Sequence, residues 1–224
     1  MYFRVKSEFG YCTTAAGDVV LLDLIRARYF SLAKNQRHAF LRLAENGWWL
    51  DEAAPEFPVL LGLEFLETVV SSDRHNFDIE IESAEADISR TIWSVGVLPD
   101  LVQALFGQFL MSAKLRVWTL KIVLRQISNH KSNRKLDERT ADTKIQRIRA
   151  GYDASEIFIG RTDRCLVRSL AMFATLNRRG INSKLVIGVR TNPFAAHCWI
   201  QRGSVVLNDV VEHVRNFTPI MVLG

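Results

Sequence analysis

Residues 160–211 read GRTDRCLVRSLAMFATLNRRGINSKLVIGVRTNPFAAHCWIQRGSVVLNDVV, and their punctuation sorts them into one helix followed by three strands. Thr162 or Asp163 supplies an N-cap, apolar residues recur at Leu166, Leu170, Phe173 and Leu176, and Gly180 stops the helix. Cys165 therefore lies in the first helical turn. Unpaired N–H groups and the positive end of the helix dipole favour a thiolate there, which is the form that attacks carbonyls. Residues 183–189, 195–201 and 205–211 then read as strands, the last two joined by Arg202-Gly203-Ser204.

That connection makes a hairpin. With three loop residues Gln201 faces Val205, Trp199 faces Leu207 and His197 faces Asp209; a two-residue loop shifts the pairing by one. Directly opposed residues hold their Cβ atoms about 4.5–5.5 Å apart, close enough for a carboxylate to hydrogen-bond an imidazole and fix its tautomer. A thiol at a helix start, a histidine on a strand and a carboxylate on the next form a nucleophile, base and orienter in the order Cys165, His197, Asp209. Each residue alone is ordinary, since a lone cysteine usually packs as a small hydrophobe and a lone histidine is usually structural. The combination points to cysteine-hydrolase chemistry. Cys198, next to His197, faces the other way and is assigned to the core; Trp199 shares the face of His197; His213 has no evident partner.

The order Cys, His, Asp on helix, strand and strand resembles the transglutaminase-like branch of the papain-type fold. The wording RCLVRSLAMFATLNRRGINSKLVIGV, then PFAAHCWI and LND, is closer still to the leader peptidases of lasso-peptide biosynthesis, the B proteins. The resemblance implies a peptidase that cuts a ribosomal precursor at its leader–core junction. It also implies a partner, an asparagine-synthetase-like macrolactam synthetase that joins the freed amine to an Asp or Glu side chain.

Composition is compatible with this and excludes other classes. The 224 residues are 48% hydrophobic and 24% charged, enough for a sizeable core in one large or two small domains. Cys12, Cys165 and Cys198 are odd in number and lack CxxC spacing, which argues against a disulfide framework and a zinc knuckle and favours a reducing cytoplasm. No signal-peptide core, P-loop or glycine-rich dinucleotide motif occurs, so neither export nor a metal or other cofactor is expected. Net charge is +5, divided as 8 Lys+Arg against 13 Asp+Glu in residues 1–83 (−5) and 21 against 11 in residues 84–224 (+10). The basic half mixes its charges with acids and carries no nucleic-acid signature, so nucleic acid is not an expected partner.

Toward the N-terminus, residues 5–14, 19–25 and 28–32 read as a three-strand antiparallel meander. Asn35 caps a helix over residues 36–45, a short helix is expected near 51–55, and a third follows Pro58 with Leu61, Phe65, Leu66 and Val69 inward, closed by Ser71-Ser72-Asp73. Three strands then three helices, with the phrase VVLLDLIRARYFSL, resemble the winged-helix-like PqqD domains that bind precursor leaders. In that family the leader adds to the edge of the third strand, which here is Arg28, Tyr29, Phe30, Ser31 and Leu32. Alternation sends one of Tyr29 and Phe30 onto the helices and leaves open which.

Residues 77–81 read as a short strand or link and Glu82-Ser83-Ala84-Glu85 as a junction, giving domains 1–83 and 84–224, the second with a helical extension over 84–135. Trp93, Leu98, Leu101, Leu105, Phe106, Phe109, Leu110, Trp118, Ile122 and Leu124 are its buried candidates, with a polar loop at 130–135 and a further helix over 137–150. The uncharged run over residues 101–113 is too short to span a bilayer, and these helices are expected to pack on the catalytic core in preference to a membrane. The fold class is α+β. The same triad also suits a transglutaminase-type acyl transferase, and an N-terminal domain of this kind suits a non-catalytic leader-binding adaptor.

Overall fold

The run VVLLD is buried at every position and forms the middle strand of three, with Val19 and Leu21 in the core of the first unit. The computed structural model describes residues 1–70, 81–88, 98–129, 137–159 and 164–224. It divides into two units, Met1–Ile79 and Glu80–Gly224. Thr162, Asp163, Trp93, the Ser71-Ser72-Asp73 closure, the loop at 130–135 and most of the link at 77–81 lie outside the described residues.

In the first unit β2 (Phe9–Thr13), β3 (Val19–Asp23) and β4 (Arg28–Ser31) form the antiparallel meander, with β4 at one edge. Buried Asp23 accepts the N–H groups of Ile25 and Arg26, each at 2.9 Å, and so closes the turn into β4. Helix α1 (Lys34–Glu45) brings Phe40 and Leu43 into the core, where the Phe40 ring meets Trp48 at 5.5 Å, Tyr11 at 5.4 Å and Phe65 at 5.8 Å. Phe30 packs on this cluster, so Tyr29 takes the opposite face of β4.

Two expectations fail here. Residues 51–55 form turns without a helix, and after the short α2 (Phe57–Leu61) the chain does not continue as a third helix. Residues Leu66–Val69 form β5 instead, paired antiparallel with β1 (Tyr2–Val5), Leu66 against Val5 and Val69 against Tyr2. The β-branched run Thr68-Val69-Val70 has little reason to stay helical once an N-terminal strand offers it a ladder.

The second unit builds a five-stranded sheet in the order β10 (Thr218–Leu223), β7 (Lys184–Thr191), β8 (Phe194–Arg202), β9 (Val205–Val206), β6 (Ala86–Asp87). β6 runs parallel to β9 and the other pairs are antiparallel. Helix α6 (Cys165–Arg178) lies against β8, burying Leu170, Phe173 and Leu176, and ends as Gly180 turns to φ +72°. Helix α5 (Glu138–Ile159) supports it: Arg168 of α6 binds Asp153 at 2.6 Å and also pairs with Glu156.

Helices α3 (Leu98–Val117) and α4 (Leu120–Asn129) correct the burial expected from sequence. The inward stripes are Leu101, Ala104, Gln108 and Met111 on α3 and Leu120, Val123, Leu124 and Ile127 on α4. Leu98, Phe106, Phe109, Leu110, Trp118 and Ile122 are exposed, Phe106 by 61% and Phe109 by 70%, and Leu105 is half-buried. A helix of period 3.6 buries one stripe, and α3 is apolar on both sides, so periodicity could not choose between them.

Where α3 and α5 cross, a Cβ on Gly151 would stand 2.6 Å from the backbone of Asp100, so only glycine permits this approach. Gly151→Ala is expected to lower stability by about 1–3 kcal/mol, as overpacking does, measured as a fall in the urea unfolding midpoint.

Candidate active site

Cys165 is the first residue of α6, and Arg164 before it makes no side-chain cap to the opening N–H groups of the helix. Its thiol, half-buried, meets the side chain of His197 and the backbone N–H groups of Cys198 and Leu166. His197 on β8 also bonds Asp209, with Nε2 to Oδ2 at 2.5 Å. Asp209 also accepts the N–H of Val210 at 2.8 Å. The structure thus brings Cys165, His197 and Asp209 together.

They do not meet through the hairpin register expected from sequence. The loop has two residues, and Gln201 pairs with Val206 and Arg202 with Val205. Gly203, at φ +57°, takes the first central position, where the turn that matches strand twist places a glycine. Strand β9 then ends at Val206 instead of running on to residue 211, and α7 (Val211–Val214) begins soon after. Asn208 manages the departure. Its Oδ1 accepts the Ile200 N–H at 2.8 Å in place of a ladder carbonyl, while its Nδ2 donates to Ser169 Oγ at 2.8 Å, and Ser169 Oγ donates to the Cys198 carbonyl at 2.7 Å. One buried network therefore ties the Asp209 turn, the His197 strand and the Cys165 helix.

Packing fixes the imidazole from the remaining sides. The ring of Trp199 stacks on it at 6.1 Å and 15°, and Phe217 lies at 5.1 Å. Gly188 faces His197 across the ladder, and a Cβ there would stand 2.7 Å from the Trp199 ring. Trp199 itself is buried in the core. His213, for which sequence offers no partner, places Nδ1 3.1 Å from Asp209 Oδ2, which accepts its hydrogen bond, and lies 4.6 Å from the His197 ring. Its only signal was the i,i+4 spacing from Asp209 across a helix start. The ligand atoms of His197, Asp209 and His213 fall within 4.8 Å of one another and could hold a metal ion, at the cost of the His197–Asp209 hydrogen bond.

Electrostatics distinguish the three cysteines. Burial pushes the Cys165 thiol up, but the hydrogen bond and charge of His197 and the N–H groups of Cys198 and Leu166 outweigh it, leaving the thiol below its ordinary value. Burial raises Cys12 to about 12 and pushes Cys198, which lies in the core, up as well. For His197 burial lowers the pKa, but the bonds to Asp209 and Cys165 raise it to about 9. Burial would raise Asp209; its bonds to His197, Val210 and His213 hold it well below the usual carboxylate range. Together these values favour a thiolate–imidazolium pair.

The sequence model of the transglutaminase-like superfamily matches residues 107–222, more than half of the chain. The chain belongs to the transglutaminase-like superfamily. Among characterised proteins, this superfamily member is 29% identical over 211 residues to the microcin J25-processing protein McjB of Escherichia coli, covering 89% of this chain and 92% of the relative. No solved structure matches it. The edge strand Arg28–Ser31 and the following Leu32, singled out above for peptide binding, belong to the first unit, with Arg28 and Ser31 exposed and Tyr29, Phe30 and Leu32 half-buried.

Folded His197 holds its proton to about 9 against 6.5 for an ordinary imidazole, so the stabilisation from its ion pairs is complete below 6.5 and is lost as pH rises through about 9. Thermal unfolding across that window should show the loss, and His197→Ala should not; iodoacetamide should begin to alkylate Cys165 at a lower pH than an ordinary thiol of pKa 9.0. Asn208→Ala strands the Ile200 N–H and is expected to cost about 1–3 kcal/mol. It should also bring the His197 ring titration, followed by NMR, down toward 6.5.

Proposed function

We propose that this chain is a cysteine endopeptidase that removes the leader from a ribosomally made lasso-peptide precursor, freeing the N-terminus of the core for a partner macrolactam synthetase. The observation that carries the proposal is the convergence of Cys165, His197 and Asp209 with a lowered thiol and a raised imidazole. Likeness to a microcin-processing protein over most of the chain supports the substrate class.

Cys165 Sγ attacks the scissile carbonyl, and the imidazolium of His197 gives its proton to the leaving amine of the core. The leader remains as a thioester on Cys165. Neutral His197 then takes a proton from water, the hydroxide displaces the thiolate, and the leader departs as a carboxylic acid. Asp209 keeps the imidazole in one tautomer throughout. The Cys165 N–H, first of the helix, serves as one oxyanion donor.

The first unit would act as a PqqD-like, winged-helix-type leader-recognition domain, adding the leader as a strand beside Arg28–Ser31 and Leu32. Holding the leader on one unit raises the effective concentration of the junction at the other, so leader affinity adds to the selectivity of the active site. Three unpaired cysteines suit a reducing cytoplasm.

Mass spectrometry of a candidate precursor tests this with the unmutated chain and Cys165→Ala, without and then with the synthetase. Release of an intact leader by the unmutated chain, abolished by the substitution, is the expected outcome, and Asp209→Asn should slow it roughly 10²–10⁴-fold. An amine-crosslinked product would assign acyl transfer instead. Leader binding without turnover in either set would make the chain an adaptor.

A further inference from the structure

The exposed apolar residues of α3 lie on one side of the helix. Leu98, Val102, Phe106, Phe109, Leu110 and Val117 recur at helical spacing and are all exposed, opposite the buried stripe of Leu101, Ala104, Gln108 and Met111. The face runs the length of a 20-residue helix, roughly 30 Å at 1.5 Å per residue. A continuous apolar strip of this extent on a soluble unit marks an interaction surface.

Charge continues the strip at its C-terminal end. Residues 101–129 contain no Asp or Glu, while Lys114, Arg116, Lys121 and Arg125 all occur there. Among the described residues Lys114, Arg116 and Arg125 enter no ion pair, and the Lys114 ammonium lies 5.7 Å over the half-exposed Trp118 ring. Leu110 also lines a cavity of about 180 Å³ between α3, α4 and α6. Gly107, Met111 and Ala171 give that cavity an apolar floor, and Lys114 and Arg178 place two cations on its wall.

The geometry points to an anionic bilayer as the occupant of this face, with the α3 strip entering the acyl boundary. The Lys114–Arg178 cavity would take a headgroup phosphate. A protein partner would need roughly one hydrogen bond per 100–200 Å² of interface, and the exposed side chains of the strip offer none. Lipid asks for no directional partner, and an apolar helix face with cations and a tryptophan at its border is the pattern that lies in a membrane interface. No helix among the described residues is long and apolar enough to cross a membrane. The contact is therefore peripheral. It revises the expectation that these helices bury their apolar residues on the catalytic core, and it stands independently of what the active site cuts.

Co-sedimentation of the full chain tests it, using phosphatidylcholine vesicles with and without phosphatidylglycerol. Binding to the anionic vesicles alone, released by high salt, is expected. Arg116→Gln with Arg125→Gln should weaken it roughly tenfold or more, since each cation near such a surface contributes about fivefold. Phe106→Ser with Phe109→Ser should remove detectable binding while thermal unfolding stays unchanged; if that variant is unstable, the arginine variant decides. The inference is overturned if the unmutated chain stays in the supernatant at low salt, or if both double variants bind as it does. It is equally overturned if the phenylalanine variant abolishes self-association of a chain that never binds vesicles, since the face would then be a contact between copies.

Discussion

Everything at the site depends on holding one carboxylate against one imidazole where water is largely excluded. The Asp209 and His197 side chains are exposed by only 13% and 12%. In such surroundings an isolated charge is costly and a matched pair is strong, so the two pKa values move apart and the imidazole keeps its proton beside a thiol that loses one. The pair forms only because its two carriers are fixed relative to each other. Asn208 does this by substituting a side-chain amide for backbone in the β8 ladder, which lets the chain leave the sheet one residue before Asp209.

Much of this was legible in the order of residues. Cys165 at a helix start and His197 on a strand follow from Gly180 and from β-rich runs, and the helix and strands form where those signals lie. The register did not, because Arg202-Gly203-Ser204 admits two loop lengths and only the positive φ of Gly203 decides between them. His197 and Asp209 meet all the same, since a side-chain network and not strand pairing delivers the carboxylate. His213 was invisible for a related reason: its role depends on a turn that begins where a strand was expected to continue.

The remaining errors share one cause. Apolar pattern says that a segment has a face to bury but not which face, or against what. On α3 both sides qualify, and at Leu66–Val69 a helix and a strand compete until Tyr2–Val5 supplies a partner from the far end of the unit. Long-range neighbours settled both choices, and a local reading has no access to them. Where neighbours are near in sequence, as in the meander from Phe9 to Ser31, local reading sufficed.

The segment at residues 81–88 carries a consequence for modularity. Glu82 accepts the buried Gln201 amide at 2.7 Å, Ala84 accepts Arg215 at 2.8 Å, Glu85 donates to Ser204 at 2.8 Å, and Asp87 accepts the N–H of Val211 at 3.3 Å. A strip that reads as a polar linker is thus sewn along the edge of the sheet, gripping both the Gly203 turn and the helix that follows Asp209. The true seam of the polypeptide lies ahead of this strip, so a fragment begun at residue 84 would lack part of the scaffold of its own active site. Composition marks where a chain is hydrophilic; hydrogen bonds mark where it can be divided.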